Sequence, residues 1–259
     1  MLKKFYRTVM PRVIRSKVNT LRVRMSRIIS PNQSSTFEGD GFSTTHFLGF
    51  RTDAKFNAAF ASAVKSVPKD ASITHKHLES IEWRAHITTW AANQALRNKE
   101  ERGGDFVECG VWYGVLSKTI CEYLNMKEFK DRKFYLVDTF GSMPGSHSSL
   151  DYQKDIYQNV KDRFSNYPAV QLIRGVVPEC LSEIKSSRIA YLAIDMNSSQ
   201  PELATLEYFY DKMVRGGVIY FDDYGWGYPE LRKVVDQFFS DKPETLLHFP
   251  SGNSIVIKI

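Results

Sequence analysis

The chain of 259 residues is 42% hydrophobic and 25% charged, so it is long enough for one large α/β domain or two small ones. It has no apolar run of about 18 residues, which excludes a typical membrane-spanning helix. The net charge of +6 is concentrated at the start: residues 1–37 hold nine Lys/Arg and no acid, whereas the rest has 26 basic and 29 acidic residues, which argues against a nucleic-acid partner.

Residues 1–45 are predicted to be a basic leader followed by a linker. Apolar residues recur at nearly helical spacing as far as Ile28, and Pro11 would interrupt or kink such a helix. Three interpretations fit: a solvated or loosely docked amphipathic extension, a membrane-surface or partner-binding helix within residues 1–30, and a cleaved targeting segment. The small and polar residues of 30–45 indicate a linker.

Residues 46–100 are predicted to form a helical cap, because apolar residues lie three and four apart over Ala54–Val64 and His77–Leu96. From residue 101 onward, strand and helix signals alternate. The predicted strands are 105–109, 133–138, 169–174, 189–195 and 217–222, and the predicted helices are 115–126, 151–164, 178–185, 201–214 and 228–239. Such alternation predicts parallel strands joined by right-handed helical crossovers.

Two more strands, near 245–249 and 254–259, are joined by a short Gly-Asn turn and should form an antiparallel hairpin. The predicted fold class is therefore α/β: a Rossmann-like, doubly wound, mostly parallel seven-stranded sheet with a C-terminal antiparallel hairpin and a helical N-terminal extension. Residues 101–259 would form the ligand-binding domain. The irregular loop 141–149, which contains His147, is a candidate lid.

The first strand of this domain runs into the turn Glu108-x-Gly110-x-x-x-Gly114, where glycine lets the backbone bend and approach a ligand. The turn lacks the G-x-G-x-x-G spacing of dinucleotide sites, and an acid suits a cationic group better than a phosphate. Asp138 ends the second strand, where a carboxylate can accept both hydroxyls of a ribose. These acids predict a nucleoside site; the alternative is an ordinary turn and a capping aspartate.

Three more acids follow later strands: Asp195 ends the fourth, and Asp222 and Asp223 end the fifth. Adjacent parallel strands end side by side, so these carboxylates should converge, which is unfavourable unless a cation or a shared proton joins them. Mg²⁺ prefers such oxygen ligands. The alternative is that one aspartate caps a helix and another pairs with an arginine or lysine.

Four nearby aromatic residues either wall an acceptor pocket or pack in the core: Trp112, Tyr113, Tyr224 and Trp226.

The three cysteines are widely spaced, odd in number and form no CxxC pair; they are Cys109, Cys121 and Cys180. This pattern indicates buried thiols in a reducing compartment, without a disulfide frame or a zinc site. We therefore expect a cytoplasmic protein.

Five segments in this order resemble class I S-adenosylmethionine-dependent methyltransferases and, within them, the macrocin O-methyltransferase family. The resemblance covers about residues 100–259. It rests on the segments Gly104–Gly114, Tyr135–Pro144, Arg174–Glu179, Ala193–Asn197 and Arg215–Tyr224. The chain departs from the family at Asn197, where members often have a second aspartate, so a role for an acid at that position is not expected here.

The resemblance implies which residues would form the site. Glu108, Gly110 and Gly114 would line the methionine end of S-adenosylmethionine. Asp138 and the adjacent Thr139 would hold its ribose, and Gly175 and Val176 would lie near its adenine. Asp195, Asp222 and Asp223 match positions where such enzymes hold Mg²⁺, and Asp195 would also face the cofactor.

The predicted function is O-methyl transfer from S-adenosylmethionine to a hydroxyl of a sugar or another small natural product, assisted by Mg²⁺, with Asp195 accepting the proton. One alternative is a metal-free methyltransferase that acts on another nucleophile. Another is a nucleoside-binding protein that has lost catalysis. No nucleic-acid partner is expected, and the sequence leaves both the acceptor and homo-oligomerisation open.

Overall fold

The computed structural model describes residues 36–71, 73–98, 103–141, 155–227 and 229–259. The predicted basic leader up to residue 35 and most of the predicted lid, including His147, lie outside these residues. The described residues divide into two compact units, one made of 36–38 and 43–47 and the other of all the rest.

A two-stranded sheet lies within the range predicted to be a linker. Its strands are Phe37–Gly39 (β1) and Phe42–Thr44 (β2). Asp40 and Gly41 form the turn with φ angles of +52° and +70°, a conformation that glycine and aspartate tolerate better than most residues. Strands of three residues are too short to show an alternating pattern, which is why the sequence analysis missed them.

Three helices follow where helical structure was predicted: α1 (Ala54–Lys65), α2 (His75–Ser80) and α3 (Glu82–Arg97). The Asp53 carboxylate caps α1 by accepting the backbone N–H groups of Lys55 and Phe56, and Thr74 caps α2. The predicted single helix over 77–96 is broken at Ile81, which ends α2. The buried residues of α3 include four alanines, a composition that lets its backbone approach a neighbouring layer closely.

The main sheet has seven strands in the order β5-β4-β3-β6-β7-β9-β8. They are β3 (Asp105–Cys109), β4 (Phe134–Asp138), β5 (Val170–Arg174), β6 (Ile189–Ile194), β7 (Met213–Phe221), β8 (Leu247–His248) and β9 (Ser254–Ile257). The first five strands are parallel, and β9 runs antiparallel to both β7 and β8. The predicted fold class is confirmed.

Four more helices complete the doubly wound layers: α4 (Val115–Tyr123), α5 (Tyr157–Phe164), α6 (Ser199–Phe209) and α7 (Pro229–Phe239). Helix α3 contacts β6 and β7, and α1 packs on α4. The predicted helix 178–185 is a short 3-10 helix, Glu179–Glu183. Strand β7 begins at Met213, four residues earlier than predicted, and continues through Gly216 and Gly217.

Strand β3 lies at the centre of the parallel part, with β4 and β5 on one side and β6 and β7 on the other. The direction of winding reverses between β3 and β6, and in folds of this kind ligands bind at the carboxyl edge beside that reversal. The three cysteines are free and buried, as the sequence predicts. Among the described residues, no helix combines the length and apolar character needed to cross a membrane.

Candidate active site

The carboxyl edge of the parallel sheet brings the predicted acids together. Cys109 is paired with Ile194, and Ile194 with Phe221, so the next residues along β6 and β7 are neighbours. The backbone N–H of Asp195 donates to the Cys109 carbonyl at 2.8 Å, and that of Asp222 donates to the Ile194 carbonyl at 3.0 Å. The sheet register therefore continues past the strand ends and places the aspartates side by side.

Asp195, Asp222 and Asp223 form an acidic cluster in which each offers an oxygen within 4.8 Å of the others. Burial, followed by repulsion from Asp222, raises the pKa of Asp223 to about 7 and that of Asp195 well above its usual value. Asp223 Oδ2 is buried and has no hydrogen-bond partner within the residues that the structure describes. No side chain in the described part of the chain donates a hydrogen bond to the Asp195 carboxylate. Both residues thus present open oxygens that fit a divalent cation.

Asp222 has a different environment, because it is paired with an arginine. Arg84, on α3, donates to Asp222 Oδ2 and also to both oxygens of Asp40. The Tyr220 hydroxyl donates to Asp222 Oδ1 at 2.5 Å. The alternative in which one aspartate of the cluster pairs with an arginine therefore holds for Asp222.

Glu108 is buried beneath the turn, with 3% of its surface exposed, and its Oε2 accepts a hydrogen bond from Ser117 Oγ at 2.6 Å. Burial raises the pKa of Glu108 to about 8, and the charges of Asp222 and Asp138 add to this, whereas the Ser117 hydrogen bond opposes it. Glu108 is therefore protonated at pH 7 unless a cationic group lies against it.

The raised pKa of Glu108 makes the stability of the protein depend on pH. Between pH 4.5 and about 8 the unfolded chain loses this proton while the folded chain keeps it, so the free energy of unfolding falls as the pH rises. Glu108→Gln, which is neutral at every pH, is expected to be more stable than the wild type at pH 8.5 by on the order of 3–5 kcal/mol. Urea unfolding at pH 5 and pH 8.5 measures this difference.

Glu179→Gln is the matched control, because Glu179 is exposed in the 3-10 helix after β5. Its stability should follow that of the wild type at both pH values. If Glu108→Gln also followed the wild type between pH 5 and pH 8.5, Glu108 would not be buried in its protonated form.

The Asp138 carboxylate accepts hydrogen bonds from the backbone of two loops, one after β3 and one after β4. Its Oδ2 accepts the N–H groups of Val111 and Trp112 at 2.7 and 2.8 Å, and its Oδ1 accepts that of Phe140 at 2.7 Å. Trp112 and Phe140 have φ angles of +48° and +51°, an uncommon conformation for bulky residues that these hydrogen bonds help to maintain. Thr139 donates to the Gly141 carbonyl at 3.0 Å. The carboxylate predicted to bind ribose thus shapes the turn of the predicted site.

The predicted cofactor glycines are required by contacts within the chain. Gly110 has a φ of +90°, and a Cβ there would lie 1.6 Å from the Asp195 carbonyl oxygen. A Cβ on Gly114 would lie 2.8 Å from the Phe164 ring, and one on Gly175 would lie 2.5 Å from Cys180 Cβ. Val176, by contrast, exposes 48% of its surface just after β5, which provides an apolar face for a flat ring.

The four aromatic residues predicted to lie near the site have different surroundings: some pack in the core, and one lies beside the acidic cluster. Tyr113 is buried in the core, and the Trp112 ring lies against it with 5.2 Å between centroids. The Tyr224 hydroxyl donates to Asp236 on α7 at 2.6 Å. The Trp226 ring faces the Arg84 guanidinium at 5.2 Å, so it lies beside the acidic cluster.

The sequence analysis missed three charged residues of this site. Arg84 and Asp40 belong to segments far from the strand ends, and no local spacing pattern marks them. Glu202, on α6, is buried, which raises its pKa to about 8, and the charge of Asp223 adds to this effect. Its position one turn into a helix that follows Asp195 was the available signal.

Comparison with known families identifies the family of this chain. The family model described as macrocin-O-methyltransferase (TylF) matches residues 90–245, more than half of the chain. The chain belongs to this family. It is therefore a methyltransferase, and the matched region contains every strand from β3 to β7, whose ends form the acidic edge.

This member of the macrocin O-methyltransferase family is similar in sequence to one curated protein and in fold to two solved structures. The mycinamicin III 3''-O-methyltransferase of Micromonospora griseorubida is 23% identical over 215 residues, which cover 75% of this chain and 80% of the relative. The O-methyltransferase NovP has a similar fold (TM-score 0.57, 22% identity, 68% of this chain and 79% of that one). So does the calicheamicin methyltransferase CalS11 (TM-score 0.54, 15% identity, 82% and 94%).

Proposed function

We propose that this protein is an S-adenosylmethionine-dependent O-methyltransferase whose acceptor is a hydroxyl of a sugar or another small natural product. The observation that carries the proposal is the acidic cluster, in which two carboxylates with open oxygens lie at the carboxyl edge beside the switch point. The family match and a relative named as a mycinamicin III 3''-O-methyltransferase support it. Three buried free cysteines are consistent with a cytoplasmic protein.

The cofactor would lie along β3, β4 and β5. Its methionine end would meet Glu108, Gly110 and Gly114, its ribose would meet Asp138 and Thr139, and its adenine would cover Gly175 and Val176. The exposed apolar surface of Val176 supports the last placement. Asp138 would bind ribose by sharing oxygens that already accept the backbone N–H groups of the turn. The bound cofactor would supply a methyl group on a sulfonium, which is the electrophile.

Asp195, Asp222 and Asp223 would hold Mg²⁺. A bound Mg²⁺ would supply Lewis-acid chemistry that lowers the pKa of the acceptor hydroxyl. Asp195 is partly exposed at the end of β6, where its carboxylate would orient the acceptor hydroxyl and accept its proton. Holding oxygen and methyl in near-attack geometry would supply much of the rate gain.

Metal-free methyl transfer is the second candidate. It is favoured by the Arg84 guanidinium, which already places a positive charge against Asp222. In that case Asp195 would act as a general base without a Lewis acid. The acceptor would then have to be a more acidic or more nucleophilic group than a sugar hydroxyl. A binding protein without catalysis is less consistent with two buried or half-buried carboxylates that keep open oxygens.

Methyl transfer is tested by measuring S-adenosylhomocysteine formation with a panel of sugar-bearing natural products, alongside amine and thiol analogues. We expect turnover with hydroxyl acceptors, a loss of at least about tenfold in excess EDTA, and recovery on adding Mg²⁺. Calorimetric titration with S-adenosylmethionine reports cofactor binding separately.

Each outcome of this assay separates the hypotheses. Full activity in excess EDTA would reject the Mg²⁺ role and favour the metal-free enzyme. Cofactor binding without turnover on any acceptor would favour the inactive binding protein. Absence of S-adenosylmethionine binding would contradict the proposal as a whole.

A further inference from the structure

The Arg84 side chain forms a three-residue bridge that the sequence gives no sign of. It donates through Nε and Nη2 to the two oxygens of Asp40, and through Nη1 to Asp222 Oδ2. The bridge is shielded from solvent: the side chains of Arg84, Asp40 and Asp222 are 17%, 4% and 0% exposed. The Trp226 ring covers the guanidinium at 5.2 Å, and this ring also lies against Gly41 in the same turn as Asp40.

Asp222 has both oxygens engaged by this and other contacts. Arg84 contacts Oδ2, while the Tyr220 hydroxyl at 2.5 Å and the Asn253 amide at 3.2 Å both donate to Oδ1. Asn253 also donates to the Asp222 carbonyl at 2.8 Å, and its own Oδ1 accepts from Ser251 at 3.0 Å. The orientation of Asp222 is therefore determined by donors from α3, β7 and the loop before β9.

The other two aspartates of the cluster have fewer donors in the described part of the chain. Asp223 is 5% exposed, and its buried Oδ2 has no hydrogen-bond partner among the described residues. The Asp195 carboxylate accepts no hydrogen bond from the side chains that the structure describes. The cluster thus contains one aspartate paired with a fixed cation and two aspartates whose oxygens are open to a divalent ion.

We infer that Arg84 is a positioning residue that orients Asp222 within the acidic cluster and limits the affinity of that cluster for a divalent cation. The inference rests on the proposed function and deepens it. The guanidinium is a fixed positive charge in contact with one member of a cluster whose oxygens lie within 4.8 Å of one another, so it competes electrostatically with any divalent ion there. Asp40 shares the same guanidinium and weakens that competition.

This arrangement predicts that substitutions at Arg84 and at Asp40 change the affinity for a divalent cation in opposite directions. Arg84→Gln removes the competing charge and frees Asp222 Oδ2, so Mn²⁺, used as a spectroscopic stand-in for Mg²⁺, should bind roughly ten- to a hundredfold more tightly. Asp40→Asn removes a nearby negative charge and leaves the guanidinium to Asp222 alone, so Mn²⁺ should bind more weakly. Arg84→Lys keeps the charge but loses the fork, so its Mn²⁺ affinity should stay near that of the wild type while kcat falls.

The measurement is Mn²⁺ binding by electron paramagnetic resonance, with S-adenosylhomocysteine binding as the check that each variant is folded. A purely structural role for the bridge would weaken Mn²⁺ binding in both Arg84→Gln and Asp40→Asn, and that result would overturn the inference. If Arg84→Gln did not fold, weaker Mn²⁺ binding in Asp40→Asn together with near-wild-type Mn²⁺ binding in Arg84→Lys would support the inference, and any other combination would overturn it.

The outcome is distinguishable from failure of the proposed function. Tight Mn²⁺ binding by Arg84→Gln and none by the wild type would support the role of Arg84 while rejecting Mg²⁺ assistance in the natural enzyme. Metal-dependent methyl transfer by the wild type, combined with equal Mn²⁺ affinity in Arg84→Gln, would reject the role of Arg84 and leave the proposed function intact. No Mn²⁺ binding by either protein would overturn the inference.

Discussion

Replacing Asp195 with asparagine is expected to lower kcat for methyl transfer by about 10³-fold, with a small effect on cofactor binding. The substitution keeps the size of the side chain but removes the charge that would accept the proton and help to hold a divalent cation. The backbone N–H of Asp195 still donates to the Cys109 carbonyl, so the end of β6 should stay in place. Single-turnover rates and calorimetric titration with S-adenosylhomocysteine measure the two effects separately.

Asp211→Asn is the matched control, because Asp211 is an exposed aspartate that precedes β7, at the opposite end of that strand from Asp222. It should keep wild-type activity. If Asp195→Asn retained more than about a tenth of the wild-type kcat, Asp195 would not be the proton acceptor. Equal loss of cofactor binding and turnover would instead assign Asp195 to the cofactor site alone.

Gly110→Ala is expected to be the most destabilising single substitution at this site, with a loss of at least about 4 kcal/mol in the free energy of unfolding. A Cβ at this position would lie 1.6 Å from the Asp195 carbonyl oxygen, and the φ of +90° is unfavourable for alanine. To relieve this clash, β3 and β6 would have to separate at their carboxyl ends, where the acidic residues lie. Urea unfolding and soluble yield measure the effect.

Gly103→Ala separates the two causes of this loss. Gly103 has a φ of +98°, similar to that of Gly110, but apart from its chain neighbours no atom of the described residues lies within 4 Å of the Cβ that the substitution would add. The control should therefore lose only the cost of the backbone conformation, roughly 1–2 kcal/mol. Similar losses in both variants would show that strand contact at Gly110 is not tight.

The strands and their closing acids were predictable because each carries a local signal. The range predicted for β3 coincides with the strand observed, and Asp195 and Asp222 immediately follow buried apolar runs. Parallel topology then requires those ends to meet at one edge. The hairpin of β1 and β2 and the helix break at Ile81 were not predicted, because neither shows a regular spacing of apolar residues. Short elements of this kind are determined by their tertiary contacts.

The roles of individual site residues depended on contacts distant in sequence. Asp138 was predicted to face a ribose, and the structure places its oxygens on the backbone of the turn beside β3. Gly110 was predicted to make room for a ligand, and it makes room for the backbone of Asp195. In both cases the residue type was informative, but its nearest partner could be identified only from the packing of adjacent strands.

The amino-acid sequence alone determined the α/β architecture, the family and the meeting of three aspartates at one edge, because strand periodicity and the positions of acids after strands are local properties of the chain. The tertiary structure decided how those aspartates differ. Arg84 lies 138 residues before Asp222 and reaches it only because α3 packs on β6 and β7. Electrostatic interactions act through space, so the pairing of Asp222 with Arg84, which Asp195 and Asp223 do not share, has no counterpart in sequence spacing.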